Sequence, residues 1–208
     1  MDKAQTKLII DFDGTLFDTE AFRVEIFSLF KRMGYDDEQI QLTYQAECLS
    51  YLYSPLGQLK RLQLLKPSSQ SLAEARFKNL YDNSYKYIFP DVIEFLKDMK
   101  FLNYELILLT LGDFEFQRVK IENSSINRYF DKIMYCDIQK WLYLPPVINK
   151  IDKFIFIDDR ADTIDRIGKT FPNSFSIRID RYRGAKIDLN YDSQIKVKNL
   201  EQASKLLS

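Results

Sequence analysis

The sequence predicts an α/β fold: a doubly wound parallel sheet between layers of helices, with a block of further helices inserted after the first strand. Three observations carry this reading. Short runs that are apolar on consecutive residues recur along the 208-residue chain, which suits strands buried on both faces of a parallel sheet. Helical periodicities fall between those runs. Residues 19–86 then break the alternation, because they carry no strand signal over a stretch far longer than an ordinary βα loop.

The strand candidates are KLIID (7–11), YELILLT (104–110), KIMYC (132–136), KFIFID (153–158) and SFSIRI (174–179). Among the helices, Val92, Phe95, Leu96 and Met99 form one stripe, and Pro90-Asp91 suits its start. Ile164 and Ile167, followed by Gly168, mark a second, and a last helix covers 200–207. The inserted block reads as four helices. Phe22, Ile26, Leu29, Phe30 and Met33 share a face that ends near Gly34. Ile40, Tyr44, Cys48 and Tyr51 form the next stripe, and Leu56, Leu59 and Leu62 the third. Ser71 and Glu74 make a capping-box pattern ahead of Leu72, Phe77, Leu80 and Tyr81. The expected organisation is a three-layer, Rossmann-like core made of 1–18 and 87–208, with an α-helical cap over 19–86.

Bulk composition narrows the chemistry. Hydrophobic residues make up 46% of the chain, enough for a sizeable core, and the 30 basic and 30 acidic residues cancel. With no basic run, nucleic acid is not the expected partner. No stretch approaches the roughly 20 apolar residues that span a bilayer, and Met1-Asp2-Lys3 leads straight toward a strand without a leader pattern. Cys48 and Cys136 fit no metal spacing and read as reduced thiols, so a cytoplasmic protein is expected. The chain has no histidine. That excludes Ser-His-Asp and Cys-His hydrolysis, phosphohistidine chemistry and His-ligated zinc. Neither GxxxxGK[ST] nor GxGxxG is present.

What remains is oxygen chemistry, and the strand ends supply it. Ligands of parallel α/β sheets bind outside the carboxyl ends of the strands. There the first strand ends in Asp11-Phe12-Asp13, the second in Thr110 ahead of Leu111-Gly112-Asp113, and the fourth in Asp158-Asp159. Converging carboxylates of this kind suit a hard cation, Mg²⁺ first. Single acids at strand ends are often only solvated, but a DxD and a DD at one end of one sheet are not readily explained that way.

These residues resemble a known family. DFDGTLFDT (11–19) is similar to the first signature of the haloacid dehalogenase-like superfamily, DxDGT[LV]xD[ST]. LILLT, closing in Thr110, resembles its second motif, and FIFIDD, closing in Asp159, its acidic fourth motif. The helical block stands where that superfamily carries a helical cap, and FPDVIEFLKDMK resembles the return to the core after it. The resemblance implies that Asp11 is the nucleophile, forming an aspartyl-phosphate. It implies that Asp13 is the general acid and base, with its backbone carbonyl also on the metal. It assigns Asp11, Asp13 and Asp159 to Mg²⁺, with Asp158 in support, and Thr110, nearby amides such as Leu111 and a third-motif lysine to the phosphoryl oxygens. That lysine usually precedes a proline, yet the chain's one Lys-Pro pair, Lys66-Pro67, lies in the cap, outside the region that motif occupies. Lys140 is the first candidate, between the third and fourth strands, with Lys132 and Lys150 behind it.

Five further residues have competing roles. Asp162 either supports the metal or opens a helix. Asp18 is expected at the start of the cap hinge. Arg160 and Arg23 are ordinary charged surface positions unless they meet substrate, and Trp141 is expected in the core. Dehalogenase members lack the second Asp of the DxD, so Asp13 favours phosphoryl transfer. The expected activity is hydrolysis of a small phosphorylated metabolite. A sugar-phosphate phosphomutase and a catalytically silent binding module are the alternatives, and a monomer and a dimer are equally open.

Overall fold

The computed structural model describes residues 5–49, 52–67, 70–149, 151–181 and 195–208. Its centre is one parallel sheet in the order β3-β2-β1-β4-β5-β6. The strands are β1 (Lys7–Ile10), β2 (Glu105–Leu111), β3 (Lys132–Cys136), β4 (Phe154–Asp158), β5 (Phe175–Ile179) and β6 (Ile195–Val197). Five of the six coincide with the expected apolar runs. The order reverses direction at β1, so the chain winds outward on both sides of it, and a crevice opens at the carboxyl ends of the central strands.

Side chains alternate along each strand and so divide the core in two. Leu8, Ile10, Leu106, Leu108, Ile155 and Ile157 pack on one face of the sheet. They meet Val92, Phe95, Leu96 and Met99 of α5 (Val92–Phe101), Ile121 of α6 (Phe114–Asn123), and Leu200 and Ala203 of α9 (Leu200–Leu207). Ile9, Ile107, Leu109, Phe154 and Phe156 pack on the other face. Their partners are Leu144, just past α7 (Lys140–Tyr143), and Ile164 and Ile167 of α8 (Ala161–Thr170). Helices therefore cover both faces, giving the three layers.

The inserted helices are α1 (Thr19–Arg32), α2 (Asp37–Cys48), α3 (Pro55–Leu65) and α4 (Gln70–Asp82). Their ends follow local chemistry. Asp36 and Gln39 form a reciprocal capping box on α2, while Ser54 caps α3 ahead of Pro55 in its first turn. α4 is already under way at Gln70, ahead of the Ser71 read as its cap. The side chains of Ser71 and Leu72, and all of Tyr51, lie outside the described residues. Phe22, Ile26, Phe30 and Phe77 of the insert join the α5 side of the core without a break. Two connecting segments run side by side between insert and core: Phe17 bridges Ile88, Asp18 N donates to Tyr87 O at 2.7 Å, and Phe89 N donates to Leu16 O at 3.1 Å. Asp18 caps α1 through its carboxylate, which accepts from Ala21 N at 3.0 Å. Among the described residues, no helix is long and apolar enough to cross a membrane. Both cysteines are free thiols, Cys136 buried and Cys48 half-buried.

Candidate active site

Strand register builds the first part of the site. Ile10 pairs with Ile157, and Asp11 N continues the ladder by donating to Ile157 O at 2.9 Å. The next residue on each strand is an acid, so Asp11 and Asp158 stand side by side, both buried. Asp159 follows. Carboxylate oxygens of Asp11, Asp158 and Asp159 lie within 4.8 Å of one another. Gly14 makes room for this, because a Cβ on it would lie 2.6 Å from Asp159 Oδ2. Its φ of +78° is also one that L side chains rarely adopt.

Lys140 enters the cluster from the start of α7. Its ammonium donates to Asp11 Oδ1 and, at 2.7 Å, to Asp158 Oδ2, and the side chain is buried. Burial works against that charge, but Asp11 and Asp158 hold Lys140 above its ordinary pKa. Burial pushes Asp11 well above the usual carboxylate range, with Lys140 opposing and Asp158 and Asp159 adding to the rise. Three carboxylates converge on one ammonium, and this acidic, all-oxygen donor set fits a divalent hard cation such as Mg²⁺.

The second acid of the DxD lies in a different network. Asp13 Oδ1 accepts from Lys120 Nζ at 2.6 Å and from Thr19 Oγ1 at 2.8 Å, and Asp13 Oδ2 accepts from Gln117 Nε2 at 2.7 Å. Burial opposes ionisation here, but the Lys120 charge and these three donors outweigh it and hold Asp13 below the usual range. Lys120 is itself buried among rings, 4.5 Å from the centroid of Phe116 and 5.2 Å from that of Phe17. Its charge is thus met by one carboxylate and by aromatic faces. The two acids of the DxD are held by lysines from opposite helical layers, Asp11 by Lys140 of α7 and Asp13 by Lys120 of α6.

Thr110 is buried near the end of β2, and its hydroxyl has no hydrogen-bond partner among the described residues. Such an orphan needs a partner that the described residues do not supply. Leu111 is the last residue of β2, and its carbonyl accepts from Gln117 Nε2 at 3.2 Å. Between insert and core, beside Asp13, lies a cavity of about 190 Å³. Phe22, Arg23, Tyr44 and Tyr53 line it from the insert, and Leu111, Phe116 and Lys120 from the core.

The other candidates lie elsewhere. Lys132 begins β3, at the opposite end of the sheet from the acids, and is exposed. Lys150 lies outside the described residues. Asp162 pairs with Arg160 at 2.8 Å in the first turn of α8, apart from the acid cluster. Trp141 is half-buried against the α8 side of the core, with Arg166 over its ring at 5.7 Å. Three residues of the site escaped the sequence reading: Thr19, Gln117 and Lys120. The last two had a signal. Asp113 caps a helix by accepting from Phe116 N at 2.9 Å, and Gln117 and Lys120, three apart, interrupt the stripe that Phe116 and Ile121 begin.

Comparison with known proteins agrees with this architecture. The family model for haloacid dehalogenase-like hydrolases matches residues 8–140. A solved structure from Burkholderia xenovorans, described as a haloacid dehalogenase-like hydrolase, superposes with a TM-score of 0.80 at 17% identity, over 98% of this chain and 97% of that one. YfnB from Bacillus subtilis, described as a HAD hydrolase bound to magnesium, gives 0.69 at 12% identity, over 99% and 100%. The L-2-haloacid dehalogenase from Xanthobacter autotrophicus, with chloropropionic acid covalently bound, gives 0.60 at 12% identity, over 98% of each chain. No curated protein matches the chain. With the family model spanning more than half of the sequence, from β1 to Lys140, this chain belongs to the haloacid dehalogenase-like hydrolases.

Proposed function

We propose that this protein is a Mg²⁺-dependent phosphatase that hydrolyses a small phosphorylated metabolite through an aspartyl-phosphate on Asp11. The observation that carries the proposal is the second acid. Asp13 is held apart from the acid cluster by Lys120, Gln117 and Thr19, and it borders the cavity between insert and core. A dehalogenase has no use for a carboxylate there, whereas a phosphatase needs one to protonate the leaving oxygen and then to activate water.

In this reading Asp11 attacks phosphorus, and Lys140, bonded to the other side of the cluster, fixes its carboxylate. The orphaned Thr110 hydroxyl and the Leu111 amide hold phosphoryl oxygens. Asp13, ionised beside Lys120 in the free site, takes up a proton as the phosphate dianion binds, gives it to the leaving group, and takes one from water in the second displacement. Bound to Asp11, Asp158 and Asp159, with the Asp13 carbonyl as the family resemblance implies, Mg²⁺ would offset the repulsion between phosphate and nucleophile. The insert, acting as a cap, excludes water and selects the substrate.

The test is phosphate release from an aryl phosphate with and without Mg²⁺. Asp11→Asn should lose at least about a thousandfold in kcat, the scale on which removing a nucleophile acts. Equal release by Asp11→Asn and wild type would refute the nucleophile. A phosphomutase uses the same DxD. Sugar 1-phosphates returning as isomers, without phosphate, would indicate that activity.

A further inference from the structure

The proposed phosphatase chemistry leaves open what is attached to the phosphate, and the space beside Asp13 bears on it. An acid must reach the leaving oxygen, so the leaving group lies on Asp13's side of the site, in the cavity between insert and core. That cavity measures about 190 Å³, little more than the roughly 150 Å³ void that accepts a benzene ring. Four of its lining residues are aromatic and packed on one another, beside the charged Asp13, Arg23 and Lys120. Tyr44 and Tyr53 meet edge to face at 5.3 Å, Tyr53 and Phe116 at 5.9 Å, and Phe22 lies 6.2 Å from Phe116.

The polar groups along the cap wall are already engaged with one another. The Arg23 guanidinium pairs with Glu20 and donates to Tyr44 Oη at 3.3 Å, and Tyr53 Oη donates to Gln58 Oε1 at 2.8 Å. Burial also pushes the Tyr53 hydroxyl well above its ordinary pKa, so the ring stays neutral. A polyhydroxylated leaving group would give up hydrogen bonds to water against the cap wall, leaving it Gln117 Oε1 on the core side as an acceptor. A single ring would lose little water and stack edge to face.

From this geometry we infer that the substrate is a phosphomonoester of a compact aromatic alcohol, with one ring seated between Tyr44, Tyr53 and Phe116. The inference rests on the phosphatase reading, and benzyl phosphate separates the two because its leaving group is a primary alkoxide like those of glucose 6-phosphate and glycerol 3-phosphate. With Mg²⁺ present, kcat/KM for benzyl phosphate should exceed that for either polyol phosphate by about tenfold or more. Tyr53→Ala and Phe116→Ala should each lower the ratio of benzyl phosphate to glycerol 3-phosphate kcat/KM by about tenfold, a ratio in which both leaving groups need the same acid. A variant that merely misfolds lowers both rates together and leaves that ratio in place. If glucose 6-phosphate or glycerol 3-phosphate is hydrolysed as well as benzyl phosphate, the substrate class is wrong and the phosphatase stands. No release from any of these three or from acetyl phosphate overturns both.

Discussion

Lys120 is the residue on which the two halves of the DxD diverge. Without it, Asp13 would keep only Thr19 and Gln117 to bond among the described residues, beside the Phe12, Phe17 and Phe116 rings that now surround the ammonium. Lys120→Met lets the Asp13 pKa rise but removes the bond that aims its carboxylate, so through positioning it should impair the general acid more than the nucleophile. On an alkyl phosphate, whose leaving group needs a proton, the loss should reach about a hundredfold or more. On p-nitrophenyl phosphate, whose leaving group departs unaided, it should be several times smaller. Steady-state rates on both substrates check this, and equal losses would reduce Lys120 to a structural role. The same pair predicts a pH dependence of stability. Asp13 titrates below its unfolded value of about 3.9, so its ionised form favours the folded state. That contribution is fully present above about pH 4 and is lost as pH falls through the lower folded pKa. Urea midpoints between pH 6 and 3 should fall less steeply in Asp13→Asn than in wild type.

At the scale of elements, the loop after β1 does the assembling. Gly14 turns at φ +78° and leaves the space that Asp159 fills. Gly14→Ala adds backbone strain of about 1–3 kcal/mol and pushes the Asp159 carboxylate out of the cluster. The expected result is a lower thermal midpoint together with weaker Mg²⁺ binding, the latter read by calorimetry. A variant of unchanged Mg²⁺ affinity would show that Asp159 is not a ligand. The strands were legible because each is a short apolar run with few alternatives. β6 was not, since it is three residues long, with one of them charged and two exposed, as suits a sheet edge. α6 was missed for a related reason. Its buried face carries Gln117 and Lys120, which a hydrophobic stripe does not announce.

Over the whole molecule, the acid cluster is a site of stored repulsion that a divalent cation should relieve. An ion that binds the folded state alone stabilises it by about 2.7 kcal/mol at a hundred times its Kd. For a chain of this size that is a rise of about 5–10 °C in Tm. Wild type should show it on adding Mg²⁺ to metal-stripped protein, and Asp159→Asn should show little of it. A rise of the same size in both would place the ion elsewhere.

The sequence by itself determined the sheet, the helical insert and the acids at the strand ends, because strand burial and the DxD signature are local patterns. It also ranked Lys140 first among three lysines, from its place along the chain. Only the tertiary structure decided what each group touches. Register between β1 and β4 set Asp11 beside Asp158, and packing of α7 and α6 on opposite faces of the sheet brought a lysine to each acid of the DxD. The aromatic cavity was equally invisible in the sequence, because Tyr44, Tyr53 and Phe116 come from three separate segments. Periodicity names the side chains that turn inward, but their partners across the fold are set by long-range packing.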